Sequence, residues 1–304
     1  MRFHYFVFAA IVGVGSIFVD KAGAEEPRIK ADVPYAKFVD REVQLDRFRI
    51  DDEAVLPGIV LTYGGGWIGG SRKAFRQTAQ DLARLGYVVA NVDYRLATEA
   101  KSSGAVLDCK AAVRWMRVNA EELGVDPSRI AAIGSSAGGH LAAMFATTSG
   151  DSAFADKGNH PEQSDALQAF VIMGSGVDQL ARVKESKSRS MKNCVIFFGG
   201  EFEEVPEVYA QGSPITHLSE QTPPILMLDG GNDKPGERYV DFRKKLDKLA
   251  VANELRVIPK AKHGEWGKPQ YCPKFVAAMD EFLRRVFGEL AQNRTCPPLL
   301  LNSH

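Results

Sequence analysis

The chain has no net charge: 38 lysines and arginines balance 38 aspartates and glutamates. That removes the electrostatic footprint of a nucleic-acid binder or of a protein held on an anionic membrane surface. Cysteine is scarce, with four residues and no Cys-x-x-Cys pair, so the ligand spacing of a zinc site is missing. No internal repeat is present, which excludes solenoids and propellers. After residue 24 no apolar run approaches the roughly 20 residues that a membrane-spanning helix needs.

The first 24 residues read differently from the rest. Arg2 and His4 precede an apolar stretch from Tyr5 to Val19, and Ala22-Gly23-Ala24 fits the small-x-small cleavage pattern of a secretory signal peptide. The expected organisation is a leader over 1–24, one domain over 25–291 and a peripheral tail over 292–304. Export would permit pairing among Cys109, Cys194, Cys272 and Cys296. Cys272 and Cys296 flank the last helix and are candidates for a staple, while Cys109 reads as a plain buried thiol.

What is abundant is alternation. Apolar strand-like runs at 58–67, 87–95, 129–134, 169–176, 224–233 and 254–259 alternate with helix-like runs at 74–86, 105–124, 137–147, 236–250 and 272–290. Near-continuous apolar strands between amphipathic helices predict an α/β fold with a mostly parallel sheet covered on both faces. Residues 35–50 read as one or two weaker strands, an antiparallel edge. The stretches 151–165 and 180–192 read as polar and irregular, and 191–215 gives mixed signals, as an insertion over a site would.

Open parallel sheets place their chemistry beyond the carboxyl ends of their strands, and three motifs fall there. The first is Gly134-Ser135-Ser136-Ala137-Gly138, a G-x-S-x-G between a predicted strand and a predicted helix. In that context it describes a nucleophile elbow, with small neighbours because bulky ones would clash. A serine hydroxyl is a poor nucleophile until a base stands beside it. The second motif is "YGGGW", Tyr63 to Trp67, whose glycines free backbone N–H groups to stabilise an oxyanion. The alternatives are a flexible turn or a phosphate loop, and the second lacks the Gly-Lys-Ser/Thr that would follow. The third is "PKAKHGEW". Among six histidines, His263 follows the last strand and is the candidate base. His140 is tied to the helix that follows Ser136, and His160 and His217 sit in irregular polar regions. For the acid that orients the imidazole, "LMLDGGNDKPG" offers Asp233, with Asp229 as runner-up and Asp178 third.

With these residues in place, the sequence resembles the α/β-hydrolase fold, closest to small exported esterases of the acetyl-esterase, feruloyl/acetyl-xylan-esterase and hormone-sensitive-lipase-like group. The resemblance runs from about residue 35 to 287 and rests on "GGGW", "VDYRLA", "GSSAGGHLAA", "SPITHL", "PPILMLDGGND" and "KHGEW" in that order. It implies Ser136 as nucleophile, His263 as base, Asp233 as acid, and oxyanion donors from the backbone of Gly65, Gly66 and Ala137. The family usually has histidine where this chain has Tyr63 and Asp229; Tyr63 is expected to retune the pocket without abolishing acyl transfer. The expected reaction is hydrolysis of short acyl esters, needing no metal or organic cofactor and no partner beyond the ester substrate. Trp67 and Trp266 flank the site and are candidate stacking faces for a sugar, which would favour acetylated carbohydrate. Arg95 reads as structural. A serine peptidase on the same fold and a non-catalytic binding protein are the rival readings.

Overall fold

A computed structural model describes residues 25–288 other than 39–40, 51–52, 156–157 and 186–188. The leader over 1–24 and the tail over 292–304, with Cys296, therefore lie outside the described residues. Eight strands form one sheet: β1 (Arg28–Phe38), β2 (Arg41–Arg49), β3 (Leu56–Thr62), β4 (Val88–Val92), β5 (Val125–Ser135), β6 (Ala169–Met173), β7 (Ile225–Gly230) and β8 (Asn253–Ile258). Their order is β1-β2-β4-β3-β5-β6-β7-β8. β1 and β2 pair antiparallel, β2 pairs antiparallel with β4, and every other pair is parallel. The weak signal at 35–50 is thus a full antiparallel edge hairpin, longer at its start than the sequence indicated.

Strands β4, β6 and β7 are buried at every position, because helices cover both faces of the sheet. On one face α2 (Ser102–Val118) packs on β3, β4 and β5 and against α4 (Ala137–Thr147). Elsewhere α1 (Arg76–Arg84) and α9 (Cys272–Phe287) pack on each other, α1 over β4 and α9 over β6, β7 and β8. A four-residue helix α3 (Ala120–Leu123) ends at Gly124, whose φ of 60° is the left-handed stop that glycine adopts without a Cβ penalty. Strands buried on both sides cannot alternate apolar and polar residues, which is why they read as apolar runs.

Residues 180–192, expected to be irregular, are largely helical. α5 (Gln179–Glu185) and α6 (Arg189–Phe198) occupy that stretch, and α7 (Pro206–Gln211) follows. Their helical period was masked by the polar residues between Lys184 and Lys192. The helices hold their place by contacts from far along the chain: Phe197 of α6 is buried against Trp67, at the end of β3. The last of the group, α8 (Val240–Lys248), packs on β8. Cys109, Cys194 and Cys272 are free thiols and all three are buried.

The chain leaves β3 for β4 on one side and later crosses to β5 on the other. That reversal opens a crevice at the carboxyl ends of β3 and β5, the switch point where such sheets bind ligands. Register sets what meets there. Thr62 pairs with Gly134, so Tyr63-Gly64 runs beside Ser135-Ser136. Past the glycine loop, Arg72 anchors the chain: its backbone N–H donates to Asp93 (3.0 Å), and its guanidinium binds Asp46 (2.9 Å), Asp93 and Asp32. Arg95 is likewise structural, donating from Nη2 (2.7 Å) and from Nε to the fully buried Asp108 of α2.

Candidate active site

The elbow at Ser136 is forced by its neighbours. Ser136 has φ 50° and ψ −120°, a region that non-glycine residues occupy only when surrounding contacts over-determine it. A Cβ on Gly134 would lie 2.3 Å from the Gly138 carbonyl oxygen, and one on Gly138 would lie 2.2 Å from that of Tyr63. Helix α4 thus crosses the ends of β3 and β5 at backbone contact, and only glycine fits at either point. Gly64 is close-packed as well, though less severely, since its Cβ would come 3.1 Å from that of Ser136.

Three of the expected residues meet at this corner. His263 Nε2 is 3.0 Å from Ser136 Oγ, and His263 Nδ1 is 2.9 Å from Asp233 Oδ2. Asp233 Oδ1 also binds Arg238 at 3.0 Å. Burial alone would raise the Asp233 pKa, but the His263 hydrogen bond and the Arg238 charge outweigh it and hold the carboxyl below its ordinary value. The carboxylate therefore stays anionic and fixes a proton on His263 Nδ1, leaving Nε2 free to accept from the serine hydroxyl. That geometry can deprotonate Ser136 as it attacks a carbonyl carbon.

Asp229 is not in contact with His263. It is fully buried, accepts the Gly236 N–H (2.8 Å) and the Tyr239 hydroxyl (3.3 Å), and burial raises its pKa. Tyr239 in turn accepts the Ser175 N–H at 3.0 Å. Asp229 thus clasps the loop that carries Asp233 and ties it to the end of β6. Asp178 accepts the Ala181 N–H at 2.9 Å and lines the cleft. Tyr63 is buried, stacked on Tyr94 with centroids 4.5 Å apart, and its carbonyl accepts the Tyr94 hydroxyl at 2.9 Å. It props the glycine loop from beneath.

A cleft of about 630 Å³ opens over Ser136 and His263, with Gly66 and Ala137 in its lining. Ala137 is the first residue of α4, so its N–H has no intrahelical acceptor. Gly65 does not line the cleft; it closes the turn, where a Cβ would stand 1.9 Å from the Gly69 carbonyl oxygen. Trp67 and Trp266, expected as stacking faces, are both buried. Trp67 stacks on Phe197 with centroids 4.6 Å apart, and the Arg182 guanidinium lies 5.5 Å from its ring centre. Trp266 sets its ring edge-on to that of His263 at 4.9 Å. Neither offers an open face to a sugar, and a strand-end position gave no sign of that burial.

Four contributors were not singled out from the sequence. Arg238 backs Asp233 and Tyr239 bonds Asp229; the only local signal is the helix start that carries both. Gly174 ends β6, and a Cβ there would come 3.0 Å from Asp233 Oδ2 and 3.1 Å from His263 Nδ1. Asn193, on α6, places its side-chain amide against Gly66. No group of three or more His, Cys, Asp or Glu suited to a metal occurs among the described residues.

His140 is a second buried histidine beside the site. Its Nδ1 faces Trp67 Nε1 at 3.2 Å and its Nε2 faces the Gly212 carbonyl at 2.7 Å. An indole N–H only donates and a carbonyl only accepts, so the ring is neutral and carries its proton on Nε2. Burial is the main cause that lowers its pKa to about 4; the Gly212 carbonyl opposes the shift and the Arg182 charge adds to it. A depressed pKa means the unfolded chain binds the proton first as pH falls. Stability from this group is complete above about 6.5 and drains away toward pH 4, by about 3 kcal/mol in total. Urea unfolding at pH 7.5, 5.5 and 4.5, wild type against His140→Asn, is expected to show the steeper acid loss in wild type; parallel curves would refute it.

Comparison with known proteins agrees with this architecture. A family model described as BD-FAE matches residues 49–246. Esterase LipC of Mycobacterium tuberculosis is 31% identical over 231 residues, covering 72% of this chain and 56% of LipC. The probable carboxylic ester hydrolase LipM of the same organism is 27% identical, covering 72% of this chain and 53% of LipM. The chain thus spans little more than half the length of these relatives. Among solved structures, esterase 2 of Thermogutta terrifontis with propionate bound is 27% identical, with a TM-score of 0.69 over 86% of this chain and 95% of its own. The same esterase has been solved phosphonylated by sarin. A truncated carbohydrate esterase from gut microbiota, 23% identical, matches in fold with a TM-score of 0.73 over 87% of this chain and 98% of its own. The fold is that of the α/β-hydrolases.

Proposed function

We propose that this chain, which belongs to the BD-FAE family, is an exported serine carboxylic-ester hydrolase acting on short acyl esters, acetyl foremost. The observation that carries the reading is the continuous contact from Ser136 Oγ through His263 to Asp233, at a strained strand-to-helix corner. His263 Nε2 takes the hydroxyl proton as Ser136 attacks the ester carbonyl, and the imidazolium is stabilised by Asp233. The oxyanion is held by the backbone N–H groups of Gly66 and Ala137, with the positive end of α4 behind them. The protonated His263 then gives its proton to the departing alcohol. Water, activated by the same nitrogen, releases the acid and restores the serine.

Export rests on the leader pattern of residues 1–24, with Glu25 as the first mature residue. The acyl preference rests on the propionate and butyrate complexes of the Thermogutta esterase. Carbohydrate as the alcohol portion loses its two stacking candidates, both of which are buried. A non-catalytic role would draw on Tyr63 and Asp229, and both are occupied away from the triad.

The test combines labelling with a substrate series. A fluorophosphonate is expected to label the protein on the peptide that contains Ser136. Hydrolysis of p-nitrophenyl esters is expected to peak at acetate to butyrate, with kcat/KM lower by about tenfold or more at octanoate. An unlabelled protein that hydrolyses none of the series would sink the reading. A maximum at palmitate would sink the short-acyl part alone.

A further inference from the structure

The two halves of the oxyanion site come from distant parts of the chain. Gly66 lies in the loop after β3, and Ala137 opens the helix after β5. Their N–H groups act together only if loop and helix keep a fixed separation. One side chain spans the two. His140 belongs to α4, one turn beyond Ala137, and its backbone N–H makes the helix's first bond, to the Ser136 carbonyl at 3.0 Å. Its imidazole reaches across to the indole of Trp67, the residue directly after Gly66.

Trp67 needs such a hold. Its φ of 63° lies in the left-handed region, which disfavours a bulky residue unless several contacts fix it. The contacts are all present. Its carbonyl accepts the Ala97 N–H at 2.8 Å, its ring stacks on Phe197, and the His140 ring meets it edge-on at 5.2 Å. The other imidazole nitrogen is tied to Gly212, just past α7, so the insertion over the site shares the same ring.

We propose that His140 is a positioning residue of the reaction, a strut that holds the Gly66 N–H in register with the Ala137 N–H through its bond to Trp67. It takes no proton from substrate; both ring nitrogens are already engaged. It acts on the chemistry because donors must meet the oxyanion at hydrogen-bond distance, where displacement by an ångström or less weakens the transition state more than the bound ester. The inference rests on the esterase reading above.

Three single variants and one double separate a strut from mere packing. Trp67→Phe keeps the ring stack and removes the N–H; His140→Leu keeps bulk and removes the acceptor; His140→Asn keeps an oxygen near the Nδ1 position. Assays use p-nitrophenyl acetate on protein whose folding is checked by thermal melting. Trp67→Phe and His140→Leu are each expected to lower kcat about 10- to 100-fold with KM within about threefold. The double variant should fall no further than the worse single, because one bond is lost either way. His140→Asn should recover most of kcat. Affinity for a short trifluoromethyl ketone, whose adduct with Ser136 bears the oxyanion, should drop in parallel with kcat/KM. Should His140→Leu not fold, Trp67→Phe and His140→Asn still decide.

Folded Trp67→Phe with wild-type kcat overturns the strut, as do effects that multiply in the double variant. Ser136→Ala run alongside distinguishes the deeper failure. If that variant keeps wild-type activity, the esterase reading falls and the strut with it. If Ser136→Ala is dead while Trp67→Phe is fully active, only the strut is overturned.

Discussion

Ser136→Ala is expected to lower kcat for p-nitrophenyl acetate by about 10⁶-fold, to the residue of catalysis that oxyanion binding alone supplies. The acyl-enzyme route needs a covalent bond to Oγ, and no other hydroxyl in the lining stands within hydrogen-bond distance of His263. Stability should barely change, because the Ser136 side chain makes no fold-supporting hydrogen bond beyond that to His263. Ser136→Gly is the informative companion. It is equally inactive, yet it relieves a φ of 50° and is expected to raise the unfolding free energy by about 1 kcal/mol. Activity in the alanine variant within tenfold of wild type would remove Ser136 as nucleophile. A glycine variant less stable than alanine would remove the claim that the corner is strained.

Asp233→Asn carries the second largest expected effect, about 10⁴-fold in kcat with little change in KM. An amide at this position can offer its N–H₂ to His263 Nδ1, which stabilises the tautomer with the proton on Nε2, and that tautomer cannot accept from Ser136. It also leaves the imidazolium without its counter-charge and Arg238 without its ion pair. The control is Asp229→Asn. That carboxyl accepts from Gly236 and Tyr239 and touches neither His263 nor Ser136, so its loss should appear as a fall of about 1–3 kcal/mol in stability, with kcat reduced far less than in Asp233→Asn. Equal kcat losses in the two variants, both folded, would mean the acid has been misassigned.

These two aspartates show what a sequence can and cannot reveal. Asp233, His263 and Ser136 were legible because each follows a strand of the parallel sheet, which delivers its strand ends to one edge. The glycines around Ser136 were legible for a local reason, since close backbone approach leaves no room for a side chain. The alternation of the sheet's central strands with their covering helices followed from hydrophobic period and from glycine and proline stops. What escaped depends on partners distant in sequence. Trp67 looked available because it flanks the oxyanion loop, yet Phe197, 130 residues on, covers it. Arg238 and Tyr239 matter through the carboxylates they bind, and a charged helix start does not announce which. The place of His140 on α4 is legible, but its link to Trp67 needs the fold to be seen. The helices at 179–198 carry lysines and serines where an apolar stripe would have marked them.

Burial raises the pKa of Cys109, Cys194 and Cys272 alike, Cys272 to about 11, so little of each is the reactive thiolate at neutral pH. None is joined to another, and the sheet with its triad closes without a covalent cross-link among them. Among the described residues the fold therefore needs no bond between these cysteines, under reducing or oxidising conditions alike. Peroxide or thiol reagents at modest dose should leave these three thiols, and with them the catalytic corner, intact.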